Sequence, residues 1–202
     1  MMNTPKAFTL LSDPFEQFEE WFELAKQVQA QYPEAMTLAT STPDGAPSSR
    51  VVLFKGVHSQ RFTFFTNYAS RKGHELEQNP QAALLFHWLP LARQIRIEGR
   101  IEKLSEHDSD LYWESRPRES QLGAYASHQS AVITSREELE SLYFKYQKQF
   151  EGQKIPRPSF WGGYGLEPQG FEFWSEGAHR LHDRFQYQFS SEGLWKMKRL
   201  SP

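Results

Sequence analysis

Apolar residues recur at Phe15, Phe18, Trp21, Phe22 and Ala25, against a face rich in Glu and Gln. That spacing predicts an amphipathic helix. Asp13 suits its N-cap and Pro14 its first helical position, and Pro33 is expected to end it. The period then changes. Met36 to Thr40 is short and apolar, with a Pro43-Asp44-Gly45 turn behind it. Arg50-Val-Val-Leu-Phe-Lys55 and Arg61-Phe-Thr-Phe-Phe-Thr66 mix β-branched and aromatic residues and read as strands. Ser70 is placed to cap a helix over Arg71 to Gln78 that stops at Asn79-Pro80. Further strands are expected over Ala82 to Trp88 and Gln94 to Leu104. In the second, Ile95, Ile97, Gly99 and Ile101 alternate with Arg96, Glu98 and Arg100, so one face is wet or lines a polar cavity. Ser105 to Glu114 and Arg136 to Phe150 carry helical periodicity; Tyr164 to Trp174, Arg184 to Phe189 and Leu194 to Arg199 read as closing strands.

Hairpin-like strands dominate, without a regular βαβ alternation. The expected fold class is α+β, a mainly antiparallel β-barrel with peripheral helices, and periodicity leaves open its closure and strand order. No repeat or low-complexity linker divides the 202 residues, so one domain over 1–202 is expected. Aromatics make up 15% of the chain, which suits a packed sheet core and flat ligand surfaces alike. The net charge of −2 gives no global attraction to nucleic acid or acidic membrane, so any anion site must be built locally. The chain has no cysteine, which excludes disulfides, thiolate metal sites and Cys nucleophiles. No apolar run approaches a membrane span or a signal-peptide core, and a cytoplasmic protein is the expectation.

Glycine-rich dinucleotide and P-loop motifs, HExxH and GxSxG are all missing. What remains is a set of basic and amide-bearing residues at element ends. Ser70-Arg71-Lys72 combines free helix N–H groups with two cations, which suits a phosphate; an ordinary solvated helix start has the same composition. Arg50 and Lys55 lie five apart on one strand and are expected to face opposite sides. Tyr112 and Arg116 share a helix face, with Ser120 a turn later beyond Pro117, so hydroxyl and guanidinium groups form a candidate phosphate clamp. A helix end stabilised by its cation accounts for the same residues. Arg180, His182 and Arg184 share a face if the segment is extended, beside Trp174. Three such groups repel unless an anion or an electron-rich ring lies against them, and the nearest carboxylate, Asp183, points away. His179 and His182 have no third ligand near them, so no metal is expected.

Taken in order, Arg50-Val-Val-Leu-Phe-Lys55, Phe65-Thr-Asn67, Ser70-Arg-Lys72, Arg93-Gln94, Ser115-Arg-Pro-Arg118, Ser120-Gln-Leu-Gly123, His128-Gln-Ser130, Phe160-Trp-Gly-Gly163 and the closing FEFWSEGAHRLHDR resemble the pyridoxamine 5'-phosphate oxidase family. The likeness runs from about Asp13 to Pro202. It implies an FMN-binding split barrel that forms a homodimer, with FMN at the subunit interface and residues 171–202 as dimerisation and active-site strands. The resemblance places Arg50, Val51, Val52, Leu53, Phe54, Lys55, Phe65, Thr66, Arg71, Lys72, Gln94, Gln129, Ser130, Trp174 and Arg184 at the flavin. It places Lys55, Tyr112, Arg116 and Ser120 at the substrate phosphate, with Arg180 and His182 catalytic, near the pyridine ring. The implied reaction passes a hydride equivalent from the substrate C4' carbon to the flavin; oxygen reoxidises the flavin and gives hydrogen peroxide. Pyridoxamine and pyridoxine 5'-phosphates would thus become pyridoxal 5'-phosphate. Two other readings share the features: a phenazine-biosynthesis flavin oxidase, and a non-catalytic flavin- or vitamer-binding module. The family's longer N-terminal arm has no counterpart in the twelve residues before Asp13, and Ser175 stands where Gln or Gly is more usual.

Overall fold

Asp13 starts the first helix as its sequence requires. Its carboxylate accepts the Phe15 N–H at 2.7 Å, and Pro14 occupies the first helical position. The computed structural model describes residues 10–28 and 31–202, so most of the twelve residues before Asp13 lie outside the described residues. Helix α1 (Pro14–Gln27) buries Phe18, Trp21 and Ala25, and it stops at Gln27, well before Pro33. Its ring edges enter the sheet, Phe18 against Phe62 at 4.7 Å and Trp21 against Phe173 at 5.3 Å. Burying side chains of this size contributes roughly 1.5–3 kcal/mol each, so α1 acts as a plug in the main core.

Among the described residues, nine antiparallel strands make one sheet: β1 (Ala35–Ser41), β2 (Pro47–Leu53), β3 (Val57–His58), β4 (Arg61–Asn67), β5 (Gln81–Trp88), β6 (Arg93–Lys103), β7 (Trp161–Ser175), β8 (Asp183–Phe189) and β9 (Trp195–Arg199). The order is β2-β1-β5-β6-β7-β4-β3, with β8 and β9 branching from β7. Strand β7 is long enough to serve two partners on one side, β4 along 161–166 and β8 along 170–175. The split falls where the β6–β7 register slips between Glu98 and Gly99. A Cβ at Gly99 would lie 2.0 Å from the Glu167 carbonyl oxygen, so the close approach there requires glycine. Just past edge strand β2, the Lys55 N–H donates to Thr63 O at 2.8 Å and the Thr63 N–H to Gly56 O at 3.0 Å, which ties the chain to β4. The result is an open, split barrel with peripheral helices, as expected.

Among the described residues five α-helices cover it: α1, α2 (Arg71–Gln78), α3 (Glu106–Ser115), α4 (Arg118–Ala126) and α5 (Arg136–Gln149). Ser70, Ser105 and Ser135 cap three of them through their side chains. Helix α4 is absent from the sequence reading, since Pro117 starts it without a side-chain cap and Gly123 interrupts its pattern. Helices α3 to α5 close a second core of Trp113, Leu122, Phe150, Ile155 and Trp161, which sets α3 beside the start of β7. Among the described residues no helix is long and apolar enough to cross a membrane.

Candidate active site

The gap between β2 and β4 is where the predicted residues gather. Arg50, Val51, Val52 and Leu53 from β2, Lys55 beyond it, Phe65 and Thr66 from β4, Lys72, Tyr112, Arg116, Gln129 and Trp161 line a cleft of about 330 Å³. Arg50 and Lys55 therefore share a cleft, contrary to the alternation argument. Strand β2 ends at Leu53, and Phe54 turns into the core against Phe18 and Phe22, so the two-residue period stops between them. The Phe54 side chain lies in the core and does not line the cleft. A second hollow of about 630 Å³ adjoins the first through Gln129, and is lined by Asn67, Arg71, His74, His128, Ser130 and Phe160 among others.

The floor of the cleft is a buried cation. Lys72 is 8% exposed, and its ammonium donates to Gln129 Oε1 at 2.7 Å and to the Thr66 and Ser70 hydroxyls at 3.2 Å. Desolvation, helped by the nearby Arg50 charge, lowers its pKa to about 8, against the pull of Glu75. Arg71 donates from Nε to Glu75 at 2.8 Å, and its backbone N–H donates to the Ser130 hydroxyl at 3.2 Å. Ser130 holds a left-handed φ of 73°, which brings Gln129 and Ser130 onto the start of α2. Burial alone would raise the Glu75 carboxyl. Hydrogen bonds from Ser48, Thr40 and Arg71 and the charge of Arg50 outweigh it and hold the group at about 2.

One wall is aromatic. Phe65 and Tyr112 stack at 3.9 Å, and Trp161 lies nearly parallel to both. Lys55 Nζ sits 5.7 Å from the centre of the Tyr112 ring. The Arg116 guanidinium lies over Trp161 at 4.4 Å and donates to the Ser120 carbonyl at 2.9 Å. Its Nη1 is buried with no hydrogen-bond partner, and burial lowers its pKa. Tyr112 and Arg116 thus meet as expected, but Ser120 sits in the first turn of α4, outside the cleft, and meets Arg116 through its carbonyl.

The other predicted residues lie elsewhere. Gln94 pairs with Trp174, and Trp174 with Arg184, across β6, β7 and β8. None of the five residues Gln94, Trp174, Arg180, His182 and Arg184 lines either hollow. Arg180, His182 and Arg184 do not form one extended face. Residues Ala178–Arg180 make a 3-10 turn, with φ of 57° at His179 and 64° at Arg180. The missing counter-charge is also present: Glu172 on β7 takes Arg184 Nε at 2.9 Å with one oxygen and Arg96 at 2.8 Å with the other. Arg180 stays exposed, and His182 packs on Trp174 at 4.7 Å while its Nδ1 accepts the Gly177 N–H. Trp161 in the cleft wall and the carboxylates of Glu172 and Glu75 are not among the residues expected at the site. The signal for Glu75 was its i, i+4 spacing from Arg71; Glu172 is brought to Arg184 only by strand pairing.

Residues 23–149 match the family model described as pyridoxamine 5'-phosphate oxidase, and residues 161–202 match the pyridoxine 5'-phosphate oxidase C-terminal dimerisation region. The chain belongs to the pyridoxamine 5'-phosphate oxidase family. Pyridoxine/pyridoxamine 5'-phosphate oxidase of Trichormus variabilis is 53% identical over 95% of this chain and 89% of that one. The protein of the same description from a Nostoc species is 54% identical over 94% and 89%. Among solved structures, PhzG from Burkholderia lata in complex with tetrahydrophenazine-1-carboxylic acid is 32% identical, with a TM-score of 0.92, covering 99% of this chain and all of that one. An FMN binding protein from Nostoc punctiforme, described as pyridoxamine 5'-phosphate oxidase-related, has the same fold at a TM-score of 0.76 and 16% identity.

Proposed function

We propose that this protein, as a cytoplasmic homodimer, uses FMN and oxygen to oxidise pyridoxine 5'-phosphate, and pyridoxamine 5'-phosphate with uptake of water and release of ammonia, to pyridoxal 5'-phosphate, releasing hydrogen peroxide. The observation that carries the proposal is the Arg116 guanidinium. It is half-buried over Trp161, and a buried Nη1 faces no acceptor within the protein. A buried donor without a partner costs about 1–3 kcal/mol, and a phosphate oxygen from a ligand in the cleft removes that cost. Lys55, over the Tyr112 ring in the same cleft, adds a second cation.

The residues present fit FMN. Arg50, Arg71, Lys72 and the N-terminus of α2 form an anion site apart from Arg116, so the cleft has two phosphate poles, one for cofactor and one for substrate. Val51, Val52, Leu53 and Phe65 supply apolar surface for a flat ring, and Thr66, Gln94, Gln129 and Ser130 supply groups for its polar edges. Trp174 and Arg184 complete the cofactor set in this reading. When bound, FMN supplies the redox chemistry by accepting a hydride equivalent from the substrate and returning it to oxygen. Lys55, Tyr112 and Arg116 hold the substrate phosphate, with the Ser120 carbonyl fixing Arg116. Arg180 and His182 orient the pyridine ring and exclude water.

The second cluster supports the dimeric part of the proposal. Trp161, in the cleft, and Trp174, in the other cluster, lie thirteen residues apart on one strand, a path of about 40 Å at ~3.3 Å per residue. A second copy can bring its residues 171–184 to this cleft, and the dimerisation-region match covers that stretch. A phenazine-type oxidase is the second reading, favoured by the structural likeness to PhzG; the two cationic poles favour a phosphorylated substrate instead. Purified protein should be yellow or turn yellow with FMN. It should release peroxide with pyridoxine 5'-phosphate and little with unphosphorylated pyridoxine. Bound FMN without turnover of either phosphorylated vitamer would sink the oxidase assignment and leave a binding module.

A further inference from the structure

Glu75 is a nearly fully buried carboxylate with no place among the residues proposed to touch cofactor or substrate. Its two oxygens do different work. Oε1 accepts from Arg71 Nε at 2.8 Å. Oε2 accepts from the Thr40 and Ser48 hydroxyls and from Arg50 Nη2 at 3.3 Å. Thr40 and Ser48 in turn accept from Arg50, whose Nη1 also donates to the Leu38 carbonyl at 3.2 Å. One carboxylate on α2 therefore fixes an arginine of the edge strand β2 and an arginine of its own first turn.

The charge count points the same way. Arg50 and Lys72 line the cleft and Arg71 lines the hollow that adjoins it, and Glu75, paired with both arginines, leaves this group of three cations with a surplus of two positive charges. A phosphate monoester carries roughly −1.5 to −2 at neutral pH, so the surplus matches it. We infer that Glu75 is a positioning residue which aims Arg50 and Arg71 at the cofactor phosphate, and so makes the protein select the phosphorylated flavin over riboflavin. The inference rests on the cofactor placement proposed above. It requires a carboxylate, because a glutamine at 75 has only one acceptor oxygen. Whichever way the amide lies, its NH₂ faces either Arg71 or the Arg50 group, and that arginine loses its acceptor on residue 75 and the charge that pairs it.

The test is a fluorescence titration of flavin-free protein with FMN and with riboflavin. Wild type should prefer FMN strongly. Glu75→Gln should lose about tenfold or more of its FMN affinity while riboflavin affinity stays within about twofold, since the ring contacts are untouched. Ser48→Ala, at a half-exposed edge position, removes one donor to Glu75 and one acceptor for Arg50, and should lose about threefold in the same direction. It decides the matter if the glutamine variant does not fold. An FMN preference undiminished in the variants overturns the role of Glu75. A wild type that binds FMN no better than riboflavin overturns the phosphate placement itself.

Discussion

Lys72 pays a folding penalty that pH should expose. Its ammonium is held at about 8 against 10.5 for the free side chain, chiefly by desolvation, and each pKa unit is worth about 1.4 kcal/mol. Because the folded value is the lower one, charging Lys72 opposes folding at any pH where the unfolded chain is protonated. At pH 7 both states carry the proton and the penalty is present in full, about 3 kcal/mol. At pH 9.5 the folded amine is neutral while the unfolded one is still mostly charged, and roughly 1 kcal/mol remains; above pH 10.5 it vanishes. Lys72→Met removes the penalty together with the hydrogen bonds to Gln129, Thr66 and Ser70, whose loss is a nearly constant offset across this range. The stability difference between variant and wild type should therefore move by about 2 kcal/mol in favour of the wild type between pH 7 and pH 9.5. Urea unfolding of both proteins without flavin, at one protein concentration, reads it directly. A difference equal at the two pH values would refute the assignment of Lys72 as a desolvated cation. The same variant should bind FMN more weakly at pH 7, which ties the cost in stability to a ligand that needs the charge.

Arg116→Ala should raise KM for pyridoxine 5'-phosphate by about thirtyfold, the equivalent of ~2 kcal/mol for a charged contact, with KM for unphosphorylated pyridoxine unmoved; steady-state peroxide assays separate the two. Arg180→Ala and His182→Ala should each lower kcat by about a hundredfold through lost ring orientation, while the bound-flavin spectrum persists. Mixing Arg116→Ala with Arg180→Ala protein, with subunit exchange, should restore about a quarter of wild-type activity. Half the dimers are then mixed, and each holds one intact site if the two residues come from different subunits; no recovery would mean that both come from one chain. Gly99→Ala should destabilise by about 3 kcal/mol, since its Cβ meets the Glu167 carbonyl oxygen at 2.0 Å. Gly123→Ala, on a helix with open space around it, should stabilise by about 0.5–1 kcal/mol. Urea midpoints check both signs.

Where local chemistry decides an element, the sequence announced it. Asp13-Pro14 and Ser70 cap helices at the predicted residues, and the Ile95, Ile97, Ile101 alternation buries one face of β6 while Glu98 and Arg100 stay wet. The ends of elements were harder. Strand β2 stops at Leu53, where Phe54 enters the ring cluster around Phe18 and Phe22, and with the Lys55 N–H tied to Thr63 O the two-residue period no longer holds, so Lys55 lines the same cleft as Arg50. Helix α4 carries little local signal, because Pro117 gives no capping side chain and Gly123 weakens its pattern.

The two missed carboxylates show why a site is less legible than a fold. Read along the chain, Arg180, His182 and Arg184 form an unneutralised cluster, and that cluster suggested a ligand. In space Arg184 already has its counter-charge in Glu172, twelve residues away but one strand over. Arg50 likewise has Glu75, twenty-five residues on and in a helix. Charge balance is a property of neighbours in space, so a count along the chain overstates how far these arginines need an anion. What the ligand must still satisfy is narrower: a buried lysine with no carboxylate within hydrogen-bonding reach and the orphaned nitrogen of Arg116. Both face the cleft between β2 and β4, and both call for an oxyanion.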